Sequence, residues 1–145
     1  MKGAPGSTSD ILHASCVAVA GRGALILGPS GSGKSSLALE MMAHGAALVA
    51  DDRVMITREA GRLIASCPPA ISGLIEARGV GLLHADPAPP VELVLAVDLA
   101  QQETQRLPMA RGRDFMGIEL DLVFSVPGGH LAVALLQYLA HGRAK

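Results

Sequence analysis

Short apolar runs broken by glycine or proline make up most of the chain. Cys16–Ala20 and Ala24–Leu27 are two such runs separated by Gly21-Arg22-Gly23, a spacing that predicts a β-hairpin whose second arm ends at Gly28. The period then changes. Across residues 34–44, KSSLALEMMAH, Leu37, Met41 and His44 recur at helical spacing among good helix formers, and Gly45 follows as a stop. Ala47–Ala50 reads as a short strand ending in Asp51-Asp52, and Val54–Thr57 and Leu63–Ser66 flank Ala60-Gly61 as a second hairpin. Pro68-Pro69 breaks the pattern before Ile71–Ile75, Gly79 and Gly81 punctuate a further loop, and Pro87–Pro90 marks a turn. Glu92–Val97 predicts a buried strand and Ile118–Val126 another, while Leu131–Ala140 predicts a terminal helix introduced by Pro127-Gly128-Gly129. Residues 1–9 are small and polar, which predicts a flexible leader with folding from Asp10 onward. The expectation is one α/β domain over residues 10–145, without internal repeats.

Composition narrows the function classes. Half of the 145 residues are hydrophobic and 17% are charged, enough apolar material for a single packed core. Tyr138, Phe115 and Phe124 are the only aromatic residues, so no platform for stacking exposed bases is indicated, and the formal charge of −1 supplies no general basic excess. Nucleic acid is therefore not expected as a partner. Cys16 and Cys67 lie far apart without metal-ligand spacing, which points to neither a zinc site nor a disulfide framework. No run approaches the roughly 18 apolar residues of a membrane span, and the start MKGAPGSTSD lacks the order of a signal peptide. A cytoplasmic protein with no membrane contact is expected.

One motif carries strong chemistry. Gly28, Pro29, Ser30, Gly31, Ser32, Gly33, Lys34 and Ser35 spell GPSGSGKS, a full match to G-x-x-x-x-G-K-[ST], placed between a strand-like and a helix-like run. In such a loop the glycines turn backbone N–H groups inward around phosphates, the lysine reaches the outer phosphates and the final hydroxyl ligates magnesium. The helix that begins near Lys34 adds a partial positive charge at the same place. ATP with magnesium is thus the expected ligand, but the loop alone does not name a reaction.

The acids around it bear on that question. Asp98 closes VELVLAVD and is either a magnesium-side aspartate or a strand-terminal residue capping a turn. Asp51-Asp52 is harder to explain structurally, because adjacent like charges repel, and an acid so placed suits a general base toward a hydroxyl. In Ile75-Glu76-Ala77-Arg78-Gly79-Val80-Gly81, Glu76 can complete a magnesium shell and Arg78 can hold phosphate, or the two can form a surface ion pair. Arg111-Gly112-Arg113 is either a phosphoryl clamp or a solvated basic loop. His13 is either a proton shuttle or a structural histidine, and His44, His84, His130 and His141 show no metal-like spacing.

Together, His13, GPSGSGKS, LVADD and IEARGVG resemble, in order and spacing, the catalytic domain of HPr kinase/phosphorylase, over residues 11 to about 126. IEARGVG is similar to that family's own signature. The resemblance implies a P-loop α/β fold related to the nucleotide-binding core of phosphoenolpyruvate carboxykinase, with a mixed sheet and hairpins. It implies an ATP- and magnesium-dependent protein-serine kinase acting on an HPr-like phosphocarrier, with phosphorolytic dephosphorylation as a second activity and a homohexameric assembly. Carried onto this chain, it makes Lys34 the phosphate ligand, Ser35 and Glu76 the magnesium ligands, and Asp52 the catalytic base with Asp51 and His13 beside it. It makes Arg113 the catalytic arginine, although Arg111 stands where the family usually has proline and is the alternative. Asp98 becomes structural. Three departures are expected to matter against the family pattern: the usual N-terminal domain is not expected ahead of His13, Ser36 stands where a glutamate is common, and a short C-terminal region is expected, which bears on the reverse activity. The other readings open to the residues are a small-molecule kinase and a non-enzymatic ATP-sensing module.

Overall fold

The computed structural model describes residues 8–145. The elements are β1 (Thr8–Leu12), β2 (Ser15–Val19), β3 (Arg22–Leu27), α1 (Lys34–Ala43), β4 (Ala47–Ala50), β5 (Val54–Glu59), β6 (Arg62–Ser66), β7 (Leu74–Ala77), β8 (Gly81–His84), β9 (Val91–Gln102), β10 (Gly112–Phe115), β11 (Ile118–Ser125) and α2 (Leu131–His141), with a 3₁₀ turn at Pro69–Ile71. The expected leader lies outside the described residues except for Thr8 and Ser9, which open β1 rather than leading into it.

Nine strands form one mixed sheet ordered β1-β5-β6-β9-β3-β2-β4, with β11 also on β9 and β10 on β11, while β7 and β8 pair separately. β9 is the spine. Its amino end pairs antiparallel with β6 through Val91 and Glu92, and farther along β11 pairs parallel with it at Leu95–Asp98. Along its other edge it runs parallel to β3, with Leu27 opposite Asp98. This brings the carboxyl ends of β3, β9 and β11 to one rim of the sheet, the rim from which the phosphate loop leaves. In open α/β sheets that rim is where ligands bind.

Both faces of the sheet are covered. α1 and α2 bury Leu37, Met41, Leu135 and Leu139 against Val17, Ile26, Leu95 and Val97, and on the opposite face Cys16, Leu25, Leu93 and Ala96 pack with Val54, Ile56 and Leu63. Leu93 and Leu95 would share a face in a regular strand. A register shift opposite Gly23 and Ala24 passes over Val94, and this bulge sends them to opposite sides. Gly23 is required beside it, because a Cβ there would lie 2.8 Å from a Val91 methyl.

The first hairpin is tighter than its sequence predicts. The turn is Ala20-Gly21 at φ 54° and 76°, so Arg22 and Gly23 belong to β3 rather than to the loop. Two positive φ values match the right-handed twist of the flanking strands, and Ala60-Gly61 between β5 and β6 repeats the geometry at 51° and 76°. The segment IEARGVG is not a free loop: it forms β7, a turn at 78–80 and the start of β8. The strand expected over 92–97 extends over 91–102, and the terminal helix closely follows the expected one.

α2 is fixed to the sheet by Tyr138, whose hydroxyl donates to the Asp121 carboxylate of β11. Burial, reinforced by Asp121, pushes this phenol up to about 12 from 10.0. The folded protein thus holds the proton more tightly than the unfolded chain, so the tie is complete below about pH 10 and is lost as the pH rises through about 12. A Tyr138→Phe variant is expected to be less stable than wild type at pH 8, with the difference shrinking above pH 10 in urea unfolding curves. Met41 is fully buried between the helices and the sheet, so Met41→Ala is expected to cost about 2 to 5 kcal/mol in the same assay.

Candidate functional site

The phosphate loop closes by geometry that its glycines permit. Gly31 and Gly33 take φ values of 84° and 100°, and Gly33 caps α1 without any side-chain hydrogen bond to the first turn. The amino-terminal N–H groups of α1 therefore remain available to an anion, with no acidic side chain in that turn to compete. A Cβ on Gly28 would collide with Ser32 Oγ. Lys34 is buried, 7% exposed, and its ammonium donates to the carbonyls of Gly28 at 2.8 Å and Pro29 at 3.1 Å, which holds the charge across the mouth of the loop.

The adjacent aspartates diverge into different environments. Asp51 points inward and is 5% exposed. Its Oδ1 accepts from Ser15 Oγ at 2.6 Å and Ser35 Oγ at 2.7 Å, and its Oδ2 accepts the Glu76 backbone N–H at 3.1 Å. One carboxylate thus joins β2, α1 and β7. Asp52 turns the other way, with φ at 73° and a side chain 62% exposed, and its Oδ1 lies 3.1 Å from His13 Nε2. A left-handed backbone costs a non-glycine residue about 1 to 2 kcal/mol. Here it lies in the turn that leaves β4, and the Ala14 N–H bond to the Asp52 carbonyl at 3.2 Å helps hold it.

A cleft of about 320 Å³ results, with Ser30, Lys34 and Ser35 of the loop facing His13, Asp52 and Glu76. A broader one of about 810 Å³ adjoins it and is walled by the β7–β8 hairpin, with Asp52, Glu76 and Arg78 on the shared side. Arg78 leans over the loop, since a Cβ on Gly31 would lie 3.9 Å from its guanidinium. The residues fit a triphosphate and magnesium: an uncapped helix start, a lysine at the loop mouth and hard oxygen donors from Ser35 and Glu76. Ser32 Oγ is buried with no hydrogen-bond partner among the described residues, a donor left for a phosphate oxygen. Among the described residues no cluster of three or more His, Cys, Asp or Glu forms a metal site, so magnesium would rely on the serine, the glutamate, phosphate oxygens and water.

The arginines lie elsewhere. Arg113 stacks near Phe115 and pairs with Asp98 at 3.6 Å, and neither Arg113 nor Arg111 lines these two clefts. Arg111 is held by Glu103 through Nη2 at 3.0 Å and lies over the Phe124 ring. The Gln105 N–H, together with Arg111 and Thr104, holds the Glu103 carboxyl below its usual range. Asp98 accepts from the Ala100 N–H at 2.9 Å, where β9 bulges between its pairings with Phe124 and Ser125. Cys16 is buried, which pushes its thiol far above the usual range and away from nucleophilic use. Ser15 is a site residue that the sequence does not reveal, because a small residue at the head of an apolar strand carries no signal of its own.

A family model described as HPr Serine kinase C-terminal domain matches residues 6–88. An HPr kinase/phosphorylase from Clostridium tetani is 50% identical over 72 residues, which cover 50% of this chain and 24% of that protein. One from Bordetella pertussis is 37% identical over 137 residues, 84% of this chain and 44% of that protein. The chain therefore spans less than half the length of these relatives. The solved structure of the Hpr(Ser) kinase/phosphatase from Coxiella burnetii superposes with a TM-score of 0.74 at 25% identity, covering 90% of this chain and 93% of that one.

The two aspartates are expected to respond oppositely to truncation. Asp51→Ala leaves two hydroxyls and an N–H without their acceptor, and is expected to cost about 2 to 4 kcal/mol in chemical denaturation. Asp52→Gly relieves the left-handed backbone and is expected to stay within about 1 kcal/mol of wild type. Equal stability of the two variants would contradict the division between a tethering and a free carboxylate.

Proposed function

The chain belongs to the HPr serine kinase C-terminal domain family, and from that premise we propose that it is an ATP- and magnesium-dependent protein-serine kinase acting on an HPr-like phosphocarrier. The observation that carries the reading is Asp52, an exposed carboxylate paired with His13 and facing the phosphate loop across a cleft that also contains Glu76. In the forward reaction the acceptor serine gives its proton to Asp52 while its oxygen bonds to the terminal phosphorus. The bond from that phosphorus to the bridging oxygen breaks and ADP leaves. Lys34 holds the phosphates, the α1 amino terminus supports their charge, and Arg78 lies within reach of the same loop. Ser35 and Glu76 would hold magnesium, which would supply charge neutralisation on the phosphate oxygens.

Asp51 acts through position. By fixing Ser35 and the Glu76 backbone on one carboxylate, it sets the loop and the β7 edge relative to each other before a ligand arrives. The catalytic arginine of this reading is Arg113, with Arg111 as the alternative, although Arg113 rests on Asp98 beside the end of β3 and outside both clefts. For phosphorolysis, inorganic phosphate takes the place of ADP: its oxygen bonds to the phosphoserine phosphorus, the bond from that phosphorus to the serine oxygen breaks, Asp52 returns the proton to that oxygen and pyrophosphate leaves. This activity belongs to the proposal together with a cytoplasmic hexamer. No helix among the described residues is long and apolar enough to cross a membrane, which is compatible with that setting.

The test is transfer of labelled phosphate from ATP and magnesium to an HPr-like protein. Wild type is expected to label a serine, and Lys34→Ala to abolish labelling. Asp52→Asn is expected to lower transfer by about 10²- to 10⁴-fold while ATP binding persists. Normal turnover by Asp52→Asn would remove the base assignment. ATP binding with no transfer by wild type would favour an ATP-sensing module, and transfer to metabolites alone a small-molecule kinase.

A further inference from the structure

On the flank of the phosphate loop away from Asp52 lies a smaller cleft, about 230 Å³, that the transfer chemistry leaves unused. Ser32, Gly33 and Ser36 line it and also line the cleft that holds Asp52 and Glu76, so the two are opposite flanks of one loop. Its remaining walls are mostly aliphatic. Leu37 comes from α1, Leu99 follows Asp98 in β9, Val126 follows β11 and Leu131 opens α2, with Glu40 at the exposed side of α1.

Topology explains why a cleft opens there. β3, β9 and β11 run parallel, so Leu27, Asp98 and Phe124 bring three carboxyl ends to one rim. The groups suited to the terminal phosphate, Asp52, Glu76 and Arg78, all lie on the flank formed by β4 and β7. A triphosphate seated on the loop with its terminal phosphate at Asp52 must send its other end toward β9 and β11. Ser32 stands between the two flanks with its buried hydroxyl unpartnered among the described residues.

Resting on the kinase reading, the geometry points to this second cleft as the seat of the nucleoside of the triphosphate donor, held between Leu99, Val126 and Leu131. No lining residue is aromatic, so the ring is gripped by aliphatic burial on its faces. Glu40 offers an acceptor to a sugar hydroxyl or a base amino group at the open side.

Calorimetric titration of the full chain separates the nucleoside from the phosphates, using ATP and inorganic tripolyphosphate, each with magnesium. Wild type is expected to prefer ATP, and Leu99→Ser and Val126→Asn each to weaken ATP binding by about ten-fold while tripolyphosphate binding stays within about two-fold. Equal wild-type affinity for the two ligands, ATP binding unmoved by both variants, or parallel loss of both ligands would overturn the seat and leave the kinase reading standing. Failure of wild type to bind either ligand would overturn the kinase reading, and the seat with it.

Discussion

A carboxylate withdrawn from water must find donors inside the protein, and Asp51 finds three on three different elements. Ser15 belongs to β2, Ser35 to the first turn of α1 and Glu76 to β7, which lies outside the main sheet. These contacts make the buried charge a three-way joint between the sheet, the phosphate-loop helix and the β7–β8 hairpin. Hydrogen bonds to a charged acceptor are stronger than neutral ones, and two of these tie the loop helix and the Glu76 backbone to one carboxylate. The rest of the site takes its position from that joint.

The neighbouring residue shows the complementary use of the same turn. Asp52, its backbone in the left-handed region at 73°, faces outward, so no second charge is buried beside Asp51. Its exposed carboxylate stands beside His13, facing the loop across the cleft. Strain of this kind persists only where the surroundings over-determine the backbone. Here the Ala14 contact on one side and the Asp51 network on the other supply that constraint.

Much of this arrangement is legible in the amino-acid sequence, and what is not has physical causes. The loop and its helix are visible because fixed glycines, a lysine and a 3.6-residue period coincide over residues 28–44. β4 is visible as an apolar tetrad ahead of two acids. β1, β8 and β10 are not, because TSDIL, GLLH and GRDF are mainly exposed and show no apolar alternation. The first turn falls at Ala20-Gly21 rather than at Gly21–Gly23, since Arg22 and Gly23 resemble loop residues although they pair with Val19 and Ala18. Within the site, His13, Lys34, Ser35, Asp52 and Glu76 line one cleft, with Asp51 tied beneath it. Arg113 stands apart on Asp98, and Ser15 is hidden in its strand. Chemistry-bearing residues are readable by type, but which of the two carboxylates is buried depends on donors from β2, α1 and β7 that lie far from it in the sequence.

The most direct test of the division between the two aspartates is a crystal structure with magnesium and a non-hydrolysable ATP analogue bound. Asp51 is expected to keep its bonds to Ser15 and the Glu76 N–H while the Asp52 carboxylate faces the terminal phosphate. A structure in which Asp51 faces that phosphate and Asp52 points away from the cleft would contradict this division.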